Sequence, residues 1–235
     1  MPISRRQNFL DKVRAMVRAN NDSVLGKGAY SVADAARIVG ANYHTLRGWM
    51  NPEHGIIPRR FDPETGLVSF TELMEMHFVK MFMDAGVHPR IIHAASRAAA
   101  RKYKTDYPFT VKRFDTDGRT IFATLADSAT GKEMVEDLRK GQLVFTNIVR
   151  PFFKKLDFHR SDVSRYWPLG KRSRILLDPT RRFGAPIDNE TGIPTHTLYE
   201  ATKAGGGQTI KYVANWFGVP ESAVRAAVKF EKSLI

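Results

Sequence analysis

The sequence predicts a mainly helical protein with small β elements, and three observations support this α+β class. Apolar residues recur at helical spacing over most of the 235 residues. Two pairs of short helical segments are joined by glycine turns, at residues 30–50 and 209–232. Extended segments are short and bounded by turn residues. We expect a winged helix-turn-helix domain at 1–104, an α+β middle region at 105–173 and a C-terminal helix-turn-helix domain at 174–235.

Composition narrows the function classes. The chain has 37 Lys and Arg against 24 Asp and Glu, a formal net charge of +13, and a sequence pI near 10.1. Such a surplus is typical of nucleic-acid binders. Cysteine is absent, which excludes disulfides, thiol catalysis and thiolate metal sites. No apolar run approaches the roughly 20 residues that span a bilayer, and no signal segment opens the chain. We therefore expect a soluble cytoplasmic protein.

The first elements are two helices followed by a shorter third. Residues 5–18 have amphipathic spacing and predict a helix that packs on the core or on a second copy. Ser31 is a good N-cap for the next helix, and Gly40 allows the left-handed turn that ends it. Asn42 then caps a short helix, which completes the first helix-turn-helix pattern.

The short helix after Asn42 carries the candidate base-reading residues. Leu46 and Trp49 are expected to face inward, so the opposite face points outward. In a helix-turn-helix, the N-terminal residues of the second helix contact base edges in the major groove. The candidate DNA-binding residues here are Asn42, Tyr43, His44, Thr45 and Arg47.

A predicted β-hairpin follows this pair. Residues 59–61 and 67–70 are two short extended segments that flank a Pro-Glu-Thr-Gly turn. Such a wing places Arg59 and Arg60 within reach of phosphate. Ser69 or Thr71 then begins a helix that runs to Ala85, and a basic, alanine-rich helix follows over 89–103.

The order of these parts resembles the MerR-type winged helix-turn-helix over residues 29–100. The resemblance includes Tyr-Ser-Val-Ala-Asp-Ala-Ala-Arg-Ile-Val-Gly, Thr-Leu-Arg-Gly-Trp, the wing arginines, Phe-Thr-Glu-Leu and the Asp-Ala-Gly-Val break. It implies that Tyr43, His44 and Arg47 face the groove and that Arg59 and Arg60 grip the backbone. Trp49 stands where the family has tyrosine, and the long dimerisation helix and effector-binding cysteines of that family are missing.

The middle region contains a predicted hairpin and a basic stretch. Residues 109–114 alternate between apolar and polar, and 120–125 form a partner strand across a turn containing Asp-Gly. Residues 132–156 are predicted to be helical, either whole or divided at Gly141. Residues 151–182 hold nine basic and three acidic residues. The candidate phosphate contacts in this stretch are Lys171, Arg172, Arg174, Arg181 and Arg182.

The last region is predicted as strand, turns and helices. Residues 175–177 form a strand, Asp178-Pro179 turns the chain, and 183–187 is extended. Helices follow over 195–204, 209–217 and 221–232, the first capped by Thr195 and the last two forming a second helix-turn-helix pattern. Their apolar faces are assigned to Tyr212, Val213, Trp216, Val224, Ala227, Val228 and Phe230.

This region resembles a bacterial family numbered 433 among domains of unknown function (DUF433), which has a homeodomain-like helix-turn-helix. The shared segments are Leu-Asp-Pro-Thr-Arg-Arg-Phe-Gly-Ala-Pro, Gly-Ile-Pro-Thr, Ala-Gly-Gly-Gly-Gln-Thr-Ile, Val-Ala-Asn-Trp-Phe-Gly-Val-Pro and Ala-Val-Lys-Phe-Glu. The pairing of both domains resembles the longer VapB-type antitoxins. It implies a nucleoid-associated repressor of its own operon that binds double-stranded DNA, forms a homodimer, and neutralises a PIN-domain ribonuclease toxin without a cofactor.

Residues for catalysis or a metal site are not evident. His88 and His93 lie five positions apart and straddle a proline, a poor ligand pair. Asp178, Asp188 and Glu190 are interpreted as turn residues in preference to a nuclease cluster. Gly205-Gly206-Gly207 lacks the Gly-Lys-Ser/Thr ending of a phosphate loop. We expect no enzyme.

Two alternatives to the antitoxin stay open. One is a stand-alone transcription regulator or architectural DNA-binding protein, which uses the same DNA contacts without a toxin. The other is a protein-interaction scaffold whose helix pairs only pack. The salt dependence of DNA binding separates the scaffold from the others, because phosphate contacts make affinity fall with salt.

Overall fold

The computed structural model describes residues 26–61 and 65–234. Within these ranges the chain is mainly helical and contains three two-stranded antiparallel sheets. The mainly helical class predicted from the sequence is therefore confirmed. The helix expected at residues 5–18 lies outside the described residues. None of the described helices is both long and apolar enough to cross a membrane.

The helices of the N-terminal part follow the predicted order, and a short strand that was not predicted precedes them. The elements are β1 (Tyr30–Ser31), α1 (Val32–Val39), α2 (Tyr43–Trp49), β2 (Leu67–Val68), α3 (Phe70–Asp84) and α4 (Pro89–Tyr103). Ser69 begins α3 with a capping box, in which its side chain accepts from the Glu72 backbone N–H while the Glu72 carboxylate accepts from the Ser69 backbone N–H. Of the two starts predicted for this helix, Ser69 and Thr71, the structure confirms Ser69.

The predicted hairpin between residues 59–61 and 67–70 is wrong. Leu67–Val68 pairs with Tyr30–Ser31 instead, so the small sheet joins this segment to the start of α1. The reason is Glu72, whose buried carboxylate accepts from the Arg60 backbone N–H at 3.0 Å and from Arg59 Nε at 3.1 Å. These bonds turn the 59–60 backbone toward α3 and away from a strand partner. The turn residues 62–64 lie outside the described ranges.

The middle region is helical where a hairpin was predicted. A 3-10 turn at Pro108–Thr110 precedes α5 (Phe114–Asp127) and α6 (Lys132–Val144). In α5 the buried residues Phe114, Gly118, Ile121 and Phe122 recur at helical spacing. Apolar residues alternate with polar ones at 109–114 because Phe109, Val111 and Phe114 are all buried where the chain enters α5. The predicted strands at 109–114 and 120–125 are therefore wrong.

Two glycines explain why Asp117-Gly118 lies in a helix. A Cβ on Gly118 would lie 2.3 Å from the Phe145 ring, and one on Gly141 would lie 2.6 Å from the Phe122 ring. In this antiparallel pair, the ring of Phe145, directly after α6, packs on Gly118 of α5. The ring of Phe122 of α5 packs on Gly141 of α6. The glycines serve close packing, and α6 passes through Gly141 without the division considered from the sequence.

The predicted helix at 132–156 is confirmed, with a change of winding near its end. After α6, residues Phe145–Val149 are π-helical, Arg150–Phe152 form a last helical turn (α7), and Phe153–Lys155 are 3-10. An unpredicted hairpin follows, β3 (Leu156–His159) with β4 (Asp162–Tyr166). Residues 156–166 of the basic stretch therefore form a small hairpin.

The C-terminal elements are β5 (Ile175–Leu176), β6 (Ile187–Asp188), α8 (Thr195–Lys203), α9 (Ile210–Phe217) and α10 (Glu221–Lys232). The three helices and the first strand are confirmed. The extended segment predicted at 183–187 is wrong over its first half, because Arg182–Gly184 form a 3-10 turn with left-handed Arg182 and Phe183. Thr195 begins α8, but its hydroxyl donates to the buried Glu231 carboxylate and does not cap the helix.

One core runs through the first two thirds of the described chain. It reaches from Tyr30 to Leu177 and is dominated by phenylalanine rings, for example Phe109 and Phe114 with centroids 4.9 Å apart. A smaller core lies among α8, α9 and α10, around Leu198, Val213, Ala214, Val224 and Ala227.

Polar contacts tie the first core to the C-terminal region, and Leu234 packs against that core as well. The Ala29 N–H donates to the Phe183 carbonyl at 2.8 Å, and the Tyr30 hydroxyl donates to the Gly184 carbonyl at 2.7 Å. Arg37 of α1 pairs with the buried Glu231 of α10 at 3.2 Å. The first helix pair (α1 and α2) is thereby fixed against the second helix pair (α9 and α10).

Candidate nucleic-acid interface

The first helix pair presents one face of α2 to solvent. Asn42 caps α2, its side chain accepting from the His44 backbone N–H at 2.8 Å. Gly40 ends α1 in a left-handed conformation, with a φ of 73°. Leu46 is fully buried and anchors the helix in the core, while Trp49 is half-buried against the same core. The inward positions predicted for Leu46 and Trp49 are confirmed.

The candidate base-reading residues lie at the N-cap and in the first turns of α2. Those residues, all exposed, are Asn42, Tyr43, His44, Thr45 and Arg47. The rings of Tyr43 and His44 meet edge to face at 5.5 Å. Among the described residues Arg47 has no ion-pair partner, so its guanidinium is available to a ligand. The structure thus brings five predicted residues together on one turn and a half of helix.

The two predicted wing arginines differ in environment. Arg60 is exposed. Arg59 is only 12% exposed and is bonded to the fully buried Glu72, and its guanidinium also donates to the Leu67 carbonyl. Arg59 therefore stabilises the 59–72 segment from inside, and the phosphate contact expected of it is replaced by this ion pair.

The candidate phosphate contacts in the basic stretch 151–182 also differ in environment, since some are bonded internally and others face solvent. Arg174 binds Asp188 through Nε at 2.6 Å and through a second nitrogen at 3.0 Å. Arg181 donates to the side chain and carbonyl of Asn189 at 3.0 and 2.9 Å. Both guanidinium groups, which were predicted to contact phosphate, are therefore bonded to oxygen atoms of the turns at 178–191, which need hydrogen-bond donors.

The other members of the stretch face solvent. Lys171 is exposed and pairs with Asp157 at 2.6 Å. Arg172 and Arg182 are exposed and make no ion pair with any described residue. Arg182 and the exposed Phe183 both have positive φ, 48° and 55°, a conformation that non-glycine residues adopt at a cost of about 1–2 kcal/mol. Of the predicted phosphate contacts here, Arg172 and Arg182 are the free cations.

The three acidic residues considered as a nuclease cluster act in turns, as expected. Asp178 accepts from the Thr180 backbone and hydroxyl at 2.9 and 2.6 Å. Burial raises the pKa of Asp178, but the hydrogen bonds from Thr180 and Arg165 outweigh it and lower the pKa overall. Asp188 has the same balance with Arg174 and Thr191. Glu190 pairs with Arg174 at 2.7 Å.

The second helix pair exposes aromatic side chains that the sequence assigned to its apolar faces. Thr209 caps α9, and a left-handed Gly218 ends it. Val213 and Ala214 are buried, but Tyr212 is 51% and Trp216 73% exposed, with their rings stacked at 6.3 Å. The prediction that both rings pack inward is wrong, because short α9 buries only one narrow stripe against α10. The four-residue spacing of Tyr212 and Trp216 is the signal that both share one face.

The outer side of α10 is polar and basic. Ser222, Arg225, Lys229 and Lys232 are exposed at spacings of three or four residues, so they form one stripe along the helix. Arg225 pairs with Glu221 at 2.7 Å. Sequence reasoning did not single out this stripe, although its spacing was visible.

No family model matches the chain, and no curated protein matches it. Among solved structures, the crystal structure of Rv2018 from Mycobacterium tuberculosis has a similar fold, with a TM-score of 0.69 at 19% sequence identity. The alignment covers 85% of this chain and 96% of that one. At such low identity the similarity concerns the fold alone.

Proposed function

We propose that the protein binds double-stranded DNA sequence-specifically, with α2 in the major groove. The observation that carries this proposal is the exposed face of α2, where Asn42, Tyr43, His44, Thr45 and Arg47 surround a helix held by the buried Leu46. A helix anchored on one side and polar on the other is the form in which helix-turn-helix proteins present side chains to base edges.

The chemistry of these side chains suits base reading. Arg47 offers the planar pair of donors that matches O6 and N7 of guanine. Thr45 offers a hydroxyl and a methyl group, which suit a base edge and a thymine methyl. Arg60, Arg172 and Arg182 are exposed cations, and a formal net charge of +13 attracts the phosphate backbone.

The biological role that we propose is an antitoxin that represses its own operon and neutralises a PIN-domain ribonuclease. The resemblance to VapB-type antitoxins supports this role. Repression of a palindromic operator also calls for a two-fold homodimer. On this proposal the protein acts in the bacterial cytoplasm, on the nucleoid, and is no enzyme.

The second helix pair supports a protein partner. The Tyr212 and Trp216 rings are stacked, largely exposed and adjacent on α9. Exposed aromatic residues are enriched at protein interfaces, where they bury large areas at low conformational entropy. We place the toxin contact on this face of α9.

The DNA-binding test compares single-residue variants on DNA upstream of the coding sequence. Arg47→Ala should lose about 1–3 kcal/mol of binding and relax the base preference, whereas Arg60→Ala should weaken all sequences alike. Arg139→Ala is the matched control, since Arg139 is exposed on α6. Footprints that are the same for Arg47→Ala and the control would refute the groove assignment.

The toxin test uses co-expression with the product of an adjacent reading frame for a small ribonuclease. The two proteins should co-purify, and Trp216→Ala should abolish this, while Tyr43→Ala should not, because Tyr43 lies on the DNA-facing α2. Absence of co-purification with DNA binding intact would favour the stand-alone regulator.

A further inference from the structure

A second charged surface lies far along the sequence from α2. It is a cleft of about 730 Å³ between the start of α5, the end of the α6–α7 region and the β3–β4 hairpin. Its volume is in the range of small-molecule sites, about 300–1,000 Å³. None of its residues belongs to the proposed DNA-reading face.

Four cations from three parts of the chain converge on this cleft, namely Lys112, Arg150, Lys154 and Lys171. Two carboxylates, Asp115 and Asp157, also line it, so the cations of the lining outnumber its carboxylates by two. Like charges brought into one concave site repel one another, and a bound anion relieves that repulsion.

The carboxylates neutralise only half of the cations. Arg150 lies 3.4 Å from Asp115, and Lys171 lies 2.6 Å from Asp157. Burial raises the pKa of Asp157, but hydrogen bonds from Lys171 and Trp167 outweigh it and keep this carboxyl ionised.

The remaining two lysines have no anionic partner. Lys112 and Lys154 are exposed and make no ion pair within residues 26–61 and 65–234. Both line the cleft, so their ammonium groups can reach an anion bound there.

The floor of the cleft is apolar and aromatic. Phe153 and Phe158 line it together, and their rings are stacked at 6.0 Å with 12° between their planes. Phe153 is buried and Phe158 is half-buried, so the Phe158 ring offers most of the accessible aromatic surface. A planar ring of a ligand is favoured on such a surface, whereas a lone phosphate leaves most of the cleft volume unfilled.

We propose that this cleft binds a nucleotide with two or more phosphates, which lie among Lys112, Lys154 and Arg150 while the base lies on the Phe153–Phe158 floor. The same chemistry is offered by a free nucleotide and by a unit of single-stranded nucleic acid. The proposal is independent of the DNA contact of α2.

The test is calorimetric titration of the full-length protein with ADP, with inorganic pyrophosphate and with a short single-stranded oligonucleotide. ADP should bind, and Lys112→Gln and Lys154→Gln should each weaken binding about tenfold or more, as expected for a lost charge-assisted hydrogen bond. Lys132→Gln is the control, because Lys132 is exposed on α6 outside the cleft. Stronger, lysine-dependent binding of the oligonucleotide than of ADP would support the site and identify the polymer as the source.

A second pair of measurements tests the base position. Phe158→Leu keeps an apolar floor but removes a ring, so it should weaken ADP several-fold and leave pyrophosphate binding unchanged. Equal affinity for ADP and pyrophosphate would overturn the base site. Failure of all three probes to bind, or binding that the two lysine variants do not change, would overturn the proposal as a whole. Both lysine variants should retain the operator footprint, which separates this outcome from failure of the DNA-binding function.

Discussion

Two glutamates on α3 are buried, and each holds a neighbouring segment in place. Glu72 is fully buried and accepts from Arg59, from the Arg60 backbone and from the Ser69 backbone. Glu75 accepts from the Phe109 and Thr110 backbone N–H groups at 3.3 and 3.2 Å. Through these carboxylates, α3 positions both the segment before β2 and the turn before α5.

The Arg59–Glu72 pair gives the first test at this scale. Arg59→Ala leaves the buried Glu72 carboxylate without its cation, and breaking a buried pair in this way costs about 3 kcal/mol. Chemical denaturation should show that loss in the free energy of unfolding. The matched Arg60→Ala variant should change stability by less than about 0.5 kcal/mol, since the Arg60 side chain is exposed. Equal effects of the two variants would contradict the internal role of Arg59.

Glu75 gives a prediction about pH. Burial raises its pKa from 4.5 to about 8, more than its two hydrogen bonds lower it. The folded protein therefore binds this proton more tightly than the unfolded chain, so the contribution of Glu75 to stability falls as the pH rises between these values. Glu75→Gln stays neutral and lacks this loss. The free energy of unfolding of Glu75→Gln relative to wild type should therefore increase as the pH rises through that window, by up to about 1.4 kcal/mol per pH unit.

The measurement is denaturant unfolding of both proteins from pH 6.5 to 8. Burial first, and then Lys155 and Lys80, lower the pKa of the buried His77 to about 3, and because both proteins contain His77, its contribution cancels in their difference. His77 therefore contributes stability that is lost as the pH falls below its unfolded value of 6.5. A constant difference between wild type and Glu75→Gln would show that the carboxyl is ionised throughout.

The role of a single residue was predictable from the sequence where its hydrogen-bond partners lie within a few positions of it. Ser31, Asn42 and Ser69 each begin a helix because a cap needs only its own side chain and the next two or three backbone N–H groups. The inward orientation of the Arg59 side chain was not predictable. Its partner Glu72 lies 13 residues later and becomes close only when β2 pairs with β1.

At the scale of elements, α5 and α6 form an antiparallel pair held by reciprocal contacts. Gly118 receives the ring of Phe145, and Gly141 receives the ring of Phe122. Two helices approach each other closely where small residues lie at their crossing. Gly118 and Gly141 are such residues here. The pair then supports the core phenylalanines Phe109 and Phe114.

Gly118→Ala tests this packing. A methyl group there collides with a buried ring, and overpacking typically destabilises by about 1–3 kcal/mol. Gly48→Ala is the control, because Gly48 lies in α2 with no atom within 4 Å of an added Cβ. That variant should gain up to about 1 kcal/mol from helix propensity. If thermal unfolding shows that both substitutions stabilise the protein, Gly118 is not a packing site.

The same elements show why the middle region was mispredicted. Asp117-Gly118 has the local composition of a hairpin turn, but its glycine is selected by Phe145, which lies 27 positions later. Burial of Phe109, Val111 and Phe114 produced an apparent strand period. The exposure of Trp216 was equally hidden, because its spacing from Val213 fits a helix face whether or not a partner covers it.

The whole molecule depends on the contacts that join its two cores. The Tyr30 hydroxyl lies in the buried junction and donates to the Gly184 carbonyl at 2.7 Å. Burial raises the pKa of this hydroxyl, so it stays protonated and can donate. Together with the Arg37–Glu231 pair, it fixes both helix pairs in one arrangement.

Tyr30→Phe should lower the free energy of unfolding by about 1–2 kcal/mol, because the buried carbonyl of Gly184 loses its donor. Tyr212→Phe, at the half-exposed ring of α9, should leave stability within about 0.5 kcal/mol of wild type. Denaturant curves of both variants give the comparison. A neutral Tyr30→Phe would mean that the junction does not depend on this bond.

The sequence divided the chain into three parts, and long-range packing shows how they meet. Helix positions in the first and last parts followed from caps and glycine turns such as Gly40 and Gly218. The shared core from Tyr30 to Leu177 did not, since it depends on α3 packing against segments more than 30 residues later. The candidate α2 face was predictable because two apolar residues three positions apart, Leu46 and Trp49, set the orientation of the helix.

Binding to DNA is tested most directly by measuring affinity for the upstream region against salt concentration. If exposed cations such as Arg60 contact phosphates, the logarithm of affinity should fall linearly with the logarithm of salt, with a slope of about −0.9 for each contact. Arg60→Ala should reduce the slope by about one, and Arg47→Ala should reduce selectivity between the upstream region and unrelated DNA. Weak affinity that stays flat from about 50 to 200 mM salt would contradict DNA binding and favour a protein scaffold.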